Sequence, residues 1–384
     1  MDLSEALARP ISGRRARIAT RLMFFAIGFA SGAWAPLVPF AKARLGAGDG
    51  ELGLMLLCVG LGSILAMPLA GAVAARVGHR WVLIAMAGVL ALVFPLLATL
   101  ASASGLAAAL FVFGTGVGSI DCVVNMQAIV VERDGGRPLM SSFHALYSLG
   151  GIVGAGGLSA LLAAGAAPLG AALGVATVLL VVAAAAWPGL LARADTPHGP
   201  LFVAPRGVVL LIAAFCCVVF LTEGSALDWS AVLLRTTRRA SVGEAGLGFV
   251  AFAAAMTTGR LAGDRLVARV GAVRTVAIGT LVAAGGLGLA ALAPGWILPV
   301  LGYGLVGAGC SNVVPVLFSA IGRQTAMPES QAAPAVSVVG YAGLLAGPAA
   351  IGFVADLSSL RIALLGVAAL LVAVAAMARR LGRF

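Results

Sequence analysis

Apolar residues in this chain come in long runs separated by short polar breaks. A helix needs about 20 such residues to cross the hydrocarbon core of a bilayer. Twelve runs reach that length, at roughly 18–41, 51–75, 80–100, 104–131, 139–164, 167–191, 206–234, 243–268, 273–293, 295–322, 330–355 and 360–378. The pattern predicts an all-α integral membrane protein with twelve transmembrane helices. Most breaks are only a few residues long, such as Ala101 to Ser104. The longest, Ala192 to Pro205, holds Pro197, His198, Gly199, Pro200 and Pro205, and reads as a linker near the middle of the chain.

Composition agrees with this reading. Of the 384 residues, 61% are hydrophobic and only 10% charged, too apolar for one soluble core to hide. The net charge of +11 does not point to nucleic acid, because the arginines are scattered between apolar runs instead of clustering on one face. They do set an orientation. With the N-terminus in the cytoplasm, 18 of the 25 Lys and Arg lie on that side and six on the other, and Arg260 lies inside the eighth run. Both termini and the linker are therefore expected in the cytoplasm. Arg14-Arg15 ahead of the first run reads as a positive-inside anchor and not as an export signal. The five cysteines, Cys58, Cys122, Cys216, Cys217 and Cys310, all fall inside runs without metal-ligand spacing and read as packing residues. No metal site and no cofactor is expected. Lys42 is the only lysine, so a phosphate-binding loop ending Gly-Lys-Ser/Thr is excluded, and with it a self-contained ATP-driven pump.

The two halves repeat. Arg76-Val77-Gly78 recurs as Arg269-Val270-Gly271, and Gly116-Val117-Gly118-Ser119-Ile120-Asp121 is echoed by Gly307-Ala308-Gly309-Cys310-Ser311-Asn312. Tyr147 pairs with Tyr341 and Trp34 with Trp229, all in the same order and at nearly one spacing. This gives an N-terminal six-helix bundle over 1–191, a cytoplasmic linker over 192–205 and a C-terminal six-helix bundle over 206–384. On these features the chain resembles the major facilitator superfamily over its whole length. The loop Gly71-Ala72-Val73-Ala74-Ala75-Arg76-Val77-Gly78-His79-Arg80 looks like that superfamily's signature loop, with Ala75 where an acid is usual. The resemblance implies two pseudo-symmetric six-helix bundles, alternating access, and solute bound near the midplane between the halves. A closer resemblance is to the fucose-permease-like branch and its YbjJ-type inner-membrane carriers. It is carried by Asn125-Met126-Gln127 through Glu132-Arg133, by 143–151, by Glu223 through Trp229, and by Gly259-Arg260.

A charge at mid-bilayer costs about 2.5–3.5 kcal/mol, so one that is kept usually faces a cavity or a partner. Gly114, Gly118, Asp121, Asn125 and Glu132 share a stripe of the fourth span. By resemblance, Asp121 stands where the branch carries a proton-titrating Glu and Asn125 where it carries an Asn. The branch's first-span Asp has no counterpart at Trp34-Ala35-Pro36. His144 and Ser148 share a face of the fifth span with Tyr147 beside them, and His144 is expected near Asp121 or Asn125. Asp121 and Glu223 are the candidates for proton coupling. The candidates for solute contact are Trp34, Asn125, Gln127, His144, Tyr147, Ser148, Trp229, Asn312 and Tyr341, with Asn312 read as the repeat mate of Asp121. The candidates for gating are Arg76 and Arg80 facing Glu132 and Arg133, the four-apart pair Arg260 and Asp264, and Asp228 facing Arg235 or Arg238.

The reading that follows is a proton-coupled secondary carrier of a small polar organic solute, with sugars among the candidates. It would be a monomer in the bacterial inner membrane, with the bilayer, protons and the solute as its partners and the proton gradient as its energy source. Proton-driven efflux of drug-like or metabolic compounds is the alternative. The glycine-proline segment 343–348 resembles an antiporter motif, but it lies in the eleventh span where that motif belongs in the fifth. No Ser-His-Asp or His-rich cluster supports an enzyme.

Overall fold

The computed structural model describes residues 13–47, 49–192, 203–238, 244 and 246–383. Regular structure among them is helical throughout, as lipid requires of single apolar segments that must satisfy their own backbone polar groups. The first span is α1 (Arg14–Trp34), carried through a 3-10 turn at Pro36 into a short continuation, Val38–Leu45. It is followed by α2 (Asp49–Val77), α3 (His79–Thr99), α4 (Ala103–Gly135), α5 (Met140–Ala163) and α6 (Pro168–Ala186). The second set is α7 (Val208–Arg238), α8 (Leu247–Val270), α9 (Ala272–Leu292), α10a (Ile297–Cys310), α10b (Val313–Ile321), α11 (Glu329–Leu357) and α12 (Leu360–Met377). Among the described residues, eleven spans are both long and apolar enough to cross a membrane. The twelfth is α8. Its 24 residues extend about 36 Å, but Arg260, Asp264, Arg265 and Arg269 dilute its apolar content. Most of the segment read as a linker lies outside the described residues.

By contacts the chain forms two compact units. The first gathers Met1–Leu139, Leu146–Phe202 and Glu329–Ala333; the second gathers Met140–Ala145, Val203–Pro328 and Pro334–Phe384. The first turns of α5 and α11 are thus each counted with the unit that does not hold the rest of their helix.

Glycine governs the packing inside each unit. A Cβ on Gly114 of α4 would collide with the Val59 carbonyl of α2, and Ser63 Oγ donates to the Gly114 carbonyl at 2.9 Å. Gly28 and Gly32 of α1 lie against the backbone of Tyr147 and Gly151 of α5. In the second unit, Gly307 of α10a lies on the Phe252 carbonyl of α8, and Gly309 on Gly279 and Ala283 of α9. Small residues of this kind let helix backbones approach closely where lipid supplies no hydrophobic driving force.

The repeat has a structural cause. Gly78 and Gly271 end the two Arg-Val-Gly segments with φ of 94° and 88°, a region in which a side chain is strained. At the far end of α3, Arg44 spreads its guanidinium over the carbonyls of Leu97, Ala98 and Leu100, each at 2.8 Å. It thereby caps a helix end whose last carbonyls lack intrahelical partners.

Candidate functional site

In the first unit, Asp121 and Asn125 lie one turn apart on α4. The Asn125 Nδ2 donates to the Asp121 backbone carbonyl at 2.9 Å and reaches its carboxylate at 3.4 Å. Asn125 is buried, and its Oδ1 accepts no hydrogen bond among the described residues. The Trp34 side chain at the end of α1 is buried too, with an indole N–H that meets no acceptor among those residues. Tyr147 and Ser148 are half-buried. The helix pitch therefore does bring Asp121 and Asn125 together.

Gln127 lies deeper than a contact residue should. It is fully buried, donates to Thr20 Oγ1 at 2.9 Å and accepts from the Leu191 N–H at 3.1 Å. Its amide ties α4 to α1 and to the chain just after α6, which is a packing role. Gln127→Ala should lower stability by about 1–3 kcal/mol, since it leaves the Leu191 amide without its acceptor, while the Thr20 hydroxyl keeps its bond to the Ala16 carbonyl. A thermal melt in detergent would register this, and solute selectivity should not change.

Among the described residues, the expected pairing of Arg76 or Arg80 with Glu132 or Arg133 is not seen. The Arg80 guanidinium donates twice to the Leu190 carbonyl, at 3.0 and 2.8 Å, and lies 5.3 Å from the Trp187 ring centroid. Arg76 is exposed. Glu132 accepts the Leu139 N–H at 2.7 Å, at the entry to α5, and Arg133 forms an ion pair with Glu329. Helix-end backbone groups compete for these charges, and sequence spacing does not show which groups will be near. Glu329 carried no sequence signal beyond being an acid at the start of a span.

The second unit holds a denser polar set. Arg260 of α8 is 6% exposed. Its Nη2 lies 3.6 Å from Glu223 Oε1 of α7, and its Nε donates to the Ser311 carbonyl at 3.3 Å. Glu223 is thus a partner of Arg260 that i,i+4 spacing gave no reason to expect. Asp264 accepts the Ser142 N–H at 3.1 Å, in the first turn of α5, where a carboxylate suits the orphan amides of a helix start. His144 belongs to this same unit, its ring 6.2 Å from that of Phe318. Asp228 is exposed; the Arg238 side chain lies outside the described residues. Trp229 packs against Gly352, and Tyr341 meets Phe220 edge-on at 5.9 Å. Ser230 and Trp229 also carry buried polar atoms without hydrogen-bond partners among the described residues.

Asn312 sits where α10a gives way to α10b. Its Nδ2 donates to the Gly259 carbonyl at 3.0 Å and to Ser311 Oγ at 2.9 Å. It is not the structural mate of Asp121. The packing contacts align Val59 with Phe252, Met86 with Gly279, Leu90 with Ala283, Gly114 with Gly307 and Gly116 with Gly309. All share the spacing of Arg76 and Arg269. That register places Ser119 opposite Asn312, and Asp121 opposite Val314. The glycine-rich strings invite a two-residue slip, and only the neighbouring helices resolve it.

No family model matches the chain. An uncharacterised MFS-type transporter of Yersinia pestis is 50% identical over 368 residues, 96% of each chain. An uncharacterised transporter of Sinorhizobium fredii is 33% identical over 369 residues, 92% of this chain and 95% of the relative. Among solved structures, a major facilitator superfamily transporter, FucP, in the outward conformation superposes with a TM-score of 0.77 at 17% identity. That match covers 97% of this chain and 99% of the other. The human organic anion transporter MFSD10 superposes at 0.74 with 16% identity, covering 95% and 99%.

Proposed function

Because the chain belongs to the major facilitator superfamily of multi-pass membrane transporters, we propose that it is a proton-coupled symporter of a small polar organic solute, with sugars among the candidates. It works by alternating access in the inner membrane and draws its energy from the proton gradient, with no cofactor. The observation that carries this reading is the pair of carboxylates kept inside apolar helices. Asp121 lies beside Asn125, and Glu223 beside Arg260. A symporter needs an acid that takes up a proton from one side and releases it to the other, and charges at this depth are costly unless they serve such a purpose. Asp121 carries the coupled proton, and Asn125, whose Oδ1 accepts no hydrogen bond among the described residues, contacts the solute. Trp34 and Trp229, each with an indole N–H to offer, are further contacts.

The test is a proteoliposome with a pH-sensitive dye inside. Sugars, polyols, nucleosides and small acids are added outside in turn, without an imposed gradient. Symport gives an inward proton flux with at least one of them. Proton uptake when the solute is loaded inside, or proton release when it is added outside, would mark a proton–solute exchange and favour efflux. Silence across the whole set would remove the proton-coupled reading. For topology, reporters placed after Phe384 and in the 192–205 segment should both read as cytoplasmic, and a periplasmic signal from either would overturn that orientation.

A further inference from the structure

The tenth span is interrupted once, and the interruption has a visible cause. A helical carbonyl is met by the amide four residues on. For Ser311 that residue is Pro315, which has no N–H. The span accordingly divides into α10a and α10b around Ser311 and Asn312. A bare carbonyl at this depth is costly, and the Arg260 Nε donates to it at 3.3 Å. The same guanidinium lies 3.6 Å from Glu223 Oε1, an oxygen that accepts no hydrogen bond among the described residues. Neither contact is tight, so the cation is shared between a backbone gap on one helix and a carboxylate on another. The first half has no equivalent. At the packing register, Pro315 corresponds to Cys122 and Arg260 to Met67, and α4 runs unbroken.

We propose that Arg260 is a positioning residue that ties the charge of Glu223 to the bend in the tenth span. A charged Glu223 draws the guanidinium away from the Ser311 carbonyl and loosens the bend. A neutral Glu223 releases it to the carbonyl and tightens the bend. The surroundings leave Arg260 as the charged group facing Glu223. From α10a comes Cys310, and from α7 itself Cys216. The contacts of α11 with α7 are made by glycines, Leu344 and Tyr341, and its Asp356 is exposed. Arg361, the only charge within α12, is exposed, and His144, beside Phe318, lies within electrostatic reach of Arg260. This proposal deepens the carrier reading and rests on it, adding that Glu223 changes charge during the cycle without carrying the coupled proton.

The experiment is amide hydrogen exchange of the full-length protein in detergent at one fixed pH, read on peptides covering 310–318. It uses neither solute nor gradient, so its failure and the failure of the proton-flux test are separate results. Arg260→Leu should speed exchange there about tenfold, the scale of a lost hydrogen bond to a charged group. In a Pro315→Ala background, where the Ser311 carbonyl regains a backbone donor, the same substitution should have no local effect. Glu223→Gln should slow exchange in this segment about threefold while lowering the melting temperature of the whole protein, since a buried cation loses its counter-charge. That combination of signs is one a merely structural ion pair would not give. If Arg260→Leu does not fold, Glu223→Gln with and without Pro315→Ala still decides. Faster exchange at 310–318 in Glu223→Gln, or an effect that survives Pro315→Ala, would overturn the proposal.

Discussion

Asp121→Asn is expected to leave solute binding and solute exchange intact while abolishing accumulation against a gradient. The substitution keeps the size of the side chain and imitates its protonated form. The Asn125 Nδ2 bonds mainly to the backbone carbonyl of residue 121, at 2.9 Å, and only loosely to the carboxylate, at 3.4 Å. The local geometry should therefore survive. What is lost is the ability to release a proton. Solute-driven dye signals should fall to the level of empty vesicles, while exchange of labelled solute at equal concentrations continues at close to the wild-type rate. Glu223→Gln, in parallel, should retain a proton signal. Accumulation by Asp121→Asn at the wild-type rate would take Asp121 out of the coupling step and leave Glu223 as the remaining acid.

Gly114→Leu and Gly307→Leu should each abolish folded protein, and for the same reason. In both cases even the first carbon of a side chain would overlap a backbone carbonyl of the neighbouring helix, at Val59 or at Phe252. Overpacking costs about 1–3 kcal/mol when side chains can shift, and here the obstacle is main chain that cannot turn aside. Gly156→Leu is the control, since nothing lies within 4 Å of that position. Detergent-extracted monodisperse protein, measured by fluorescent size-exclusion, should disappear for the first two and persist for the control. Normal yield of Gly114→Leu would refute the packing register deduced for α2 and α4.

The fold was legible because membrane helices write their length directly into the sequence, and the glycine and arginine punctuation repeats with them. The site was legible only where its geometry is local. Asp121 and Asn125 share a helix, so helical pitch alone unites them. Glu223 and Arg260 lie on different helices, and no spacing along the chain joins them. Gln127 looked like a ligand contact because its outward character is invisible in sequence; the residues that occupy it, Thr20 and the Leu191 amide, are far away along the chain. Pro315 was readable in principle, because a proline always deprives the carbonyl four residues before it. What fills that gap depends on the facing helix.

Arg44 has a bearing on how the chain enters the membrane. Counted from the sequence, it is one of six positive charges on the side opposed to the orientation the others impose. In the finished fold its fork is held by three carbonyls of a helix end. That helix end is made some fifty residues after Arg44, so under the proposed orientation the charge would cross the bilayer before its carbonyl partners exist. Its capping would then follow translocation and oppose any return of the loop. On that orientation the residue would work against insertion at first and hold the loop in place afterwards.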